Sequence, residues 1–135
     1  MSNKPAPPTY RGRSIGIVAL TAAQLLIGAI HVFSGLLLLF SENPSFLQAT
    51  VVYDVYTLVF GLLVLVFAVF IWQGKKAGWV GTVAVSLFVI VADSLMLLDL
   101  PSIPGIPKFA GFTEIGYSVL IVAYLCSGNV RKKYL

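Results

Sequence analysis

Four stretches of the chain are almost free of charge, and short polar or proline-bearing turns separate them. Residues 15–40 carry no charged side chain but include His31. Residues 55–72 carry none, residues 77–98 carry only Asp93, and residues 109–126 carry only Glu114. A helix needs about 20 apolar residues to cross a bilayer core, and all four stretches are near that length. A soluble helix of this length would show a broad polar face of charged residues, which these segments lack. The pattern predicts an all-α fold: a polytopic membrane four-helix bundle with short loops, its helices at about 15–40, 44–73, 77–98 and 109–127.

The turns support this division. Ser14 is placed to cap the first segment, after a basic stretch with Arg11 and Arg13. That segment is longer than a signal-peptide core, and no small-x-small site follows it, so a retained helix is expected. Ser41-Glu42-Asn43-Pro44 offers Asn43 as a cap and Pro44 as a first helical residue. Gln73-Gly74-Lys75-Lys76 is a tight basic turn. Prolines at 101, 104 and 107 recur every third residue, the period of a polyproline II helix, so this stretch is a connection. Ile103 and Ile106 make it unusually apolar, and it is expected to pack back on the end of the bundle. Residues 1–14, with Pro5, Pro7 and Pro8, read as a flexible tail. Gly128-Asn129 should stop the fourth helix, leaving residues 128–135 as a basic tail with Arg131, Lys132 and Lys133.

Composition strengthens the membrane reading. The 135 residues are 59% hydrophobic and only 10% charged, where soluble domains carry about a quarter charged residues. The net charge of +4 does not indicate nucleic acid, because eight of the nine basic residues fall at one end of the predicted bundle; Lys108 is the exception. Basic loops stay cytoplasmic, so a cell-membrane protein with both termini in the cytoplasm is expected. Trp72 and Trp79 flank the basic turn, where amphipathic rings favour the interface. Cys126 is the only cysteine, which excludes an internal disulfide and a thiolate metal cage. It reads as a buried, inert thiol.

Each segment carries a stripe of small or polar residues at helical spacing: Gln24, Gly28, His31 and Gly35; Asp54, Thr57, Gly61 and Ala68; Gly78, Thr82, Ser86 and Asp93; Glu114 and Ser118 with Tyr117 alongside. In lipid such residues let helices approach and bond to one another, so the stripes should face inward. Counting rise along the helices brings His31, Asp54, Asp93 and Glu114 toward one level, in the half of the bundle away from the basic turn. Gln24, Thr57, Tyr117 and Ser118 stand beside them as supporting groups. Ionisable residues at membrane depth are functional candidates. This set suits proton or ion handling, and one imidazole with three carboxylates is also a donor set for a divalent metal. The alternative is structural: His31 and Glu114 form a satisfied pair that fixes packing, and Asp54 and Asp93 lie wet at the headgroup boundary. A single histidine excludes bis-histidine haem. The sequence carries no phosphate loop, nucleophile elbow or His-Glu-x-x-His helix, so no catalytic residue and no cofactor are expected.

The central run, from Phe60-Gly61-Leu62-Leu63 through Trp72-x-Gly74-Lys75-Lys76-x-Gly78-Trp79-x-Gly81, resembles a broad class of small prokaryotic membrane proteins with four helices and no assigned function. The resemblance covers about the central third of the chain and implies a fold and a compartment, without supplying site residues. The first expectation for function is a non-enzymatic accessory or structural subunit of a larger membrane complex, respiratory or monooxygenase in type. Its partners would be the lipid bilayer and other membrane subunits or further copies of itself, and not nucleic acid. The others are a small homo-oligomeric transporter or proton or cation conduit, and a metal-binding membrane protein.

Overall fold

The computed structural model describes residues 9–10, 13–41, 49–102 and 108–135. Within them the chain forms five helices: α1 (Ile15–Ser41), α2 (Ala49–Trp72), α3 (Lys76–Leu97), α4 (Lys108–Leu125) and α5 (Gly128–Tyr134). The first four are long and apolar enough to cross a membrane, over Ile15–Phe40, Val52–Trp72, Lys76–Leu97 and Lys108–Leu125. They make an all-α membrane four-helix bundle, in which α1 packs on α2, α2 on α3, and α3 on α4.

Local chemistry sets the helix ends. Ile17 N–H donates to Ser14 Oγ at 3.3 Å, so Ser14 caps α1 as its position predicts. Gly74 sits at φ +74 between α2 and α3, a backbone region in which a Cβ is strained. The cap and first-turn roles expected of Asn43 and Pro44 lie outside the described residues. So do Ile103 and Ile106 in the expected packed connection. The described start of that connection is tied down: Ser102 Oγ donates to the Ala92 carbonyl at 2.6 Å.

All four stripes face inward. Gln24, Gly28, Gly35, Asp54, Thr57, Gly61, Ala68, Gly78, Thr82, Ser86, Asp93, Glu114 and Ser118 are buried, and His31 and Tyr117 are half-buried. The outer surface is correspondingly apolar, with Leu26, Phe33, Phe40, Phe112 and Leu120 all exposed. A lipid-facing surface has this composition, because hydrocarbon solvates apolar side chains at no cost.

One end of the bundle is closed by an apolar cluster of Ile17, Leu20, Ile71, Ile121, Leu125, Val130 and Tyr134. It brings together the start of α1, the end of α2, the end of α4, and α5. Two hydrogen bonds tie this end: Trp79 Nε1 donates to the Leu125 carbonyl at 2.8 Å, and Tyr134 Oη donates to the Ile71 carbonyl at 2.9 Å. The exposed Lys75, Lys76, Arg131, Lys132 and Lys133 belong to the same end.

Three expectations change. Residues 128–135 are not only a basic tail. After α4 stops at Leu125 the chain restarts as α5, because Val130 and Tyr134, four residues apart, share a face that covers the end of the core. In the first fourteen residues, Thr9–Tyr10 pairs antiparallel with Arg13–Ser14, Thr9 opposite Ser14 and Tyr10 opposite Arg13. Cys126 is exposed, since it follows the last residue of α4 on the outer side.

Candidate functional site

The sequence placed four ionisable groups at one level; the structure bonds two of them and buries a third close by. His31 on α1 reaches Glu114 on α4, with Nε2 3.3 Å from Oε1. The same ring is fixed from behind, where Nδ1 lies 2.7 Å from the Ile27 carbonyl, one turn earlier on α1. Phe60 of α2 meets it edge-on, with ring centroids 5.0 Å apart and an interplanar angle of 63°. A carbonyl oxygen only accepts, so Nδ1 carries a hydrogen. Nε2 then has two ways to bond Glu114. Either the ring is an imidazolium and donates to a carboxylate, or it is neutral and accepts from a carboxylic acid. In both states one proton lies between the two groups.

Asp93 of α3 completes the cluster. It is fully buried, and neither carboxyl oxygen meets a donor among the described residues. It stands against α4, where its Cβ lies 3.8 Å from the place a Cβ on Gly111 would take, three residues before Glu114. A fully buried, unpaired carboxylate costs several kcal/mol, and a proton held at Asp93 would remove that cost. His31, Glu114 and Asp93 thus come from three helices, and a bound proton decides the bonding of the first two.

Asp54 does not join them. It is buried on α2 rather than wet at a boundary, with its Oδ2 unpartnered, and among the described residues no hydrogen bond or ion pair links it to the other three. Among the described residues no group of three or more His, Cys, Asp or Glu side chains is arranged to hold a metal ion.

The supporting groups continue the polar interior toward the closed end. Tyr117 and Ser118 follow Glu114 by about one turn of α4, and their hydroxyls are buried without partners among the described residues. Gln24 Nε2 donates to Thr82 Oγ1 at 3.4 Å, while its Oε1 is unpartnered. Gln24, Thr82, Ser86, Tyr117 and Ser118 face a small enclosed space of about 10 Å³. Beyond Gln24 and Thr21 the apolar cluster around Ile71 and Leu125 seals the bundle.

Sequence reasoning missed the opening of the site. A cleft of about 450 Å³ lies between α1 and α4, with His31 and Glu114 in its wall. Tyr53 and Thr57 of α2 also line it. Its edge is formed by Ile30, Phe109 and Thr113, all exposed on the side of the bundle. Ser34 and Tyr53 belong to it and were not singled out from the sequence. Of the ladder Tyr53, Tyr56, Phe60 on α2, only Tyr53 faces this cleft. The ladder's spacings of three and four stack rings along one face of α2, with centroids 6.4 and 6.1 Å apart.

Compared with protein-family models, with curated proteins and with solved structures, the chain matches none.

Proposed function

We propose that this is a non-enzymatic multi-pass protein of the cell membrane, with both termini cytoplasmic, that acts as a small transporter or proton or cation conduit through His31, Asp93 and Glu114. One observation carries this reading: the His31–Glu114 pair, which can bond only by holding a proton, stands in the wall of a cleft open to the side of the bundle, with Asp93 fully buried close by. A purely structural pair would be better served in a closed seam, where nothing could exchange with it. The orientation is supported by the basic asymmetry of the sequence and by the clustering of Lys75, Lys76 and Arg131–Lys133 at the sealed end.

The accessory-subunit reading is supported by a different feature. A second cleft of about 490 Å³ lies between α2 and α3, lined by Tyr56, Val59, Leu63, Ala84 and Phe88, and is almost wholly apolar. A neighbouring subunit or a second copy would fill it with side chains.

Proteoliposomes with an entrapped pH dye test the conduit. Under an imposed proton gradient with potassium and valinomycin, wild-type vesicles should dissipate the gradient at least about tenfold faster than vesicles holding Glu114→Gln, a difference of about 1.4 kcal/mol in barrier. Rates equal to those of protein-free vesicles would overturn the proposal.

A further inference from the structure

We propose that the cleft between α1 and α4 binds a lipophilic organic cation, which takes the place of a proton held by the His31–Asp93–Glu114 cluster. This deepens the conduit function and rests on it for the exchangeable proton.

Size and access set the first limits on the ligand. At about 450 Å³ the cleft is in the range that encloses a small organic molecule rather than a bare ion. Ile30, Phe109 and Thr113 at its edge are exposed on the lipid-facing side. The far end of the bundle is sealed by Ile17, Leu20, Ile71, Ile121 and Leu125. A ligand therefore enters sideways or from the end away from the basic turn, and it must dissolve in hydrocarbon to do so.

Charge sets the sign. Glu114 and His31 stand in the wall and Asp93 is fully buried close by, two carboxyl groups against one imidazole, so full ionisation leaves an excess negative charge beside the cleft. Neither Lys nor Arg is among the described residues lining it. The other titratable groups nearby are the phenols of Tyr53 and Tyr56 on α2 and Tyr117 on α4, and the Asp54 carboxyl on α2, none of which supplies a cation at neutral pH; Lys108, next to Phe109 at the start of α4, is exposed and is not among the lining residues. A lipophilic anion would meet unpaired carboxylates, whereas a cation compensates them. Aromatic rings suit the same ligand: Tyr53, Tyr117 and Phe109 line the cleft, and ring faces attract cations, most strongly where water is excluded.

The exchange balances. In the empty state a proton is held between Glu114 and His31. When the cation arrives, that proton leaves to solvent, the carboxylate keeps the electron pair, and the ligand's positive charge replaces the proton's. No bond within the ligand forms or breaks.

Equilibrium dialysis of purified protein in mild detergent, against radiolabelled tetraphenylphosphonium with protein-free micelles as reference, tests this. The probe has no exchangeable hydrogen, so any proton released comes from the protein. Saturable binding is expected, weakened at least about tenfold by Glu114→Gln and accompanied by release of about one proton per cation in weakly buffered solution. Tetraphenylborate, of the same shape and opposite charge, should not compete. These last two measurements use the wild-type chain, so they stand even if a variant fails to fold. Uptake no greater than by empty micelles, equal binding of tetraphenylborate, unchanged binding by folded Glu114→Gln, or binding without proton release would each overturn the proposal. Should Glu114-dependent proton flux be present and cation binding absent, the ligand assignment fails while the conduit stands.

Discussion

Helix α1 makes two seams, and they are built in opposite ways. Against α2 it packs backbone to backbone. A Cβ placed on Gly61 would lie 2.8 Å from the Val32 nitrogen and 2.9 Å from the Gly28 carbonyl oxygen. Against α4, in the half of the bundle that holds the site, contact is made by side chains: His31 spans to Glu114 and leaves the cleft beside them. Helices in lipid gain little from burying apolar surface, so close packing supplies most of their association. The α1–α2 seam therefore holds the bundle together. The α1–α4 seam gives up packing and keeps a space with ionisable groups in its wall. A site that must exchange something with its surroundings belongs on the second kind of seam.

The largest expected effect comes from breaking the tight seam. Gly61→Leu sets a branched side chain against backbone atoms, which cannot move aside unless the helices part. The loss should reach or pass about 3 kcal/mol, the upper part of the usual range for overpacking. Gly28→Leu should cost less, because one of its closest neighbours is the Leu65 side chain, whose Cδ2 at 2.8 Å can turn away. Unfolding midpoints in mixed micelles would check both the size and the order. Equal stability of Gly61→Leu and wild type would mean the seam is not backbone-packed.

The loose seam should respond less. His31→Ala removes the bridge between α1 and α4 and leaves the Ile27 carbonyl and Glu114 without that partner. A lost partner at a buried polar group costs about 1–3 kcal/mol. The same unfolding assay should therefore place His31→Ala between wild type and Gly61→Leu. A loss as large as that of Gly61→Leu would make the two seams equivalent and remove the contrast.

Much of this contrast was legible before the fold, and the part that was not has a physical reason. A rise of 1.5 Å and a turn of 100° per residue fix the depth and face of a side chain within its helix. That was enough to put His31, Asp93 and Glu114 at one level and to turn all four stripes inward. Which neighbour a face meets depends on crossing geometry, which periodicity does not contain. Hence Asp54, buried as expected, stands apart from the other three, and the cleft beside Tyr53 and Ser34 was not foreseen. Helix α5 escaped for another reason. Its seven residues carry three charges, and only the two buried residues Val130 and Tyr134 reveal that it packs.

The smallest expected effect on stability is that of Glu114→Gln, and it separates structure from exchange. With Nδ1–H committed to the Ile27 carbonyl, a neutral His31 presents Nε2 as an acceptor. The new amide can donate one hydrogen to it and offer the other to Asp93, whose oxygens otherwise meet no donor among the described residues. Volume is unchanged, so no cavity forms. The variant should unfold within about 0.5 kcal/mol of wild type, the range of substitutions that break no named interaction. What the amide cannot do is bind and release a proton, so flux and cation binding should fail in a protein that is otherwise intact. A loss above about 1.5 kcal/mol would show instead that an imidazolium–carboxylate pair was holding the α1–α4 seam, since charged hydrogen bonds contribute on that scale. The cluster would then be a bridge that stabilises the bundle, and the space beside it a gap left by the bridge.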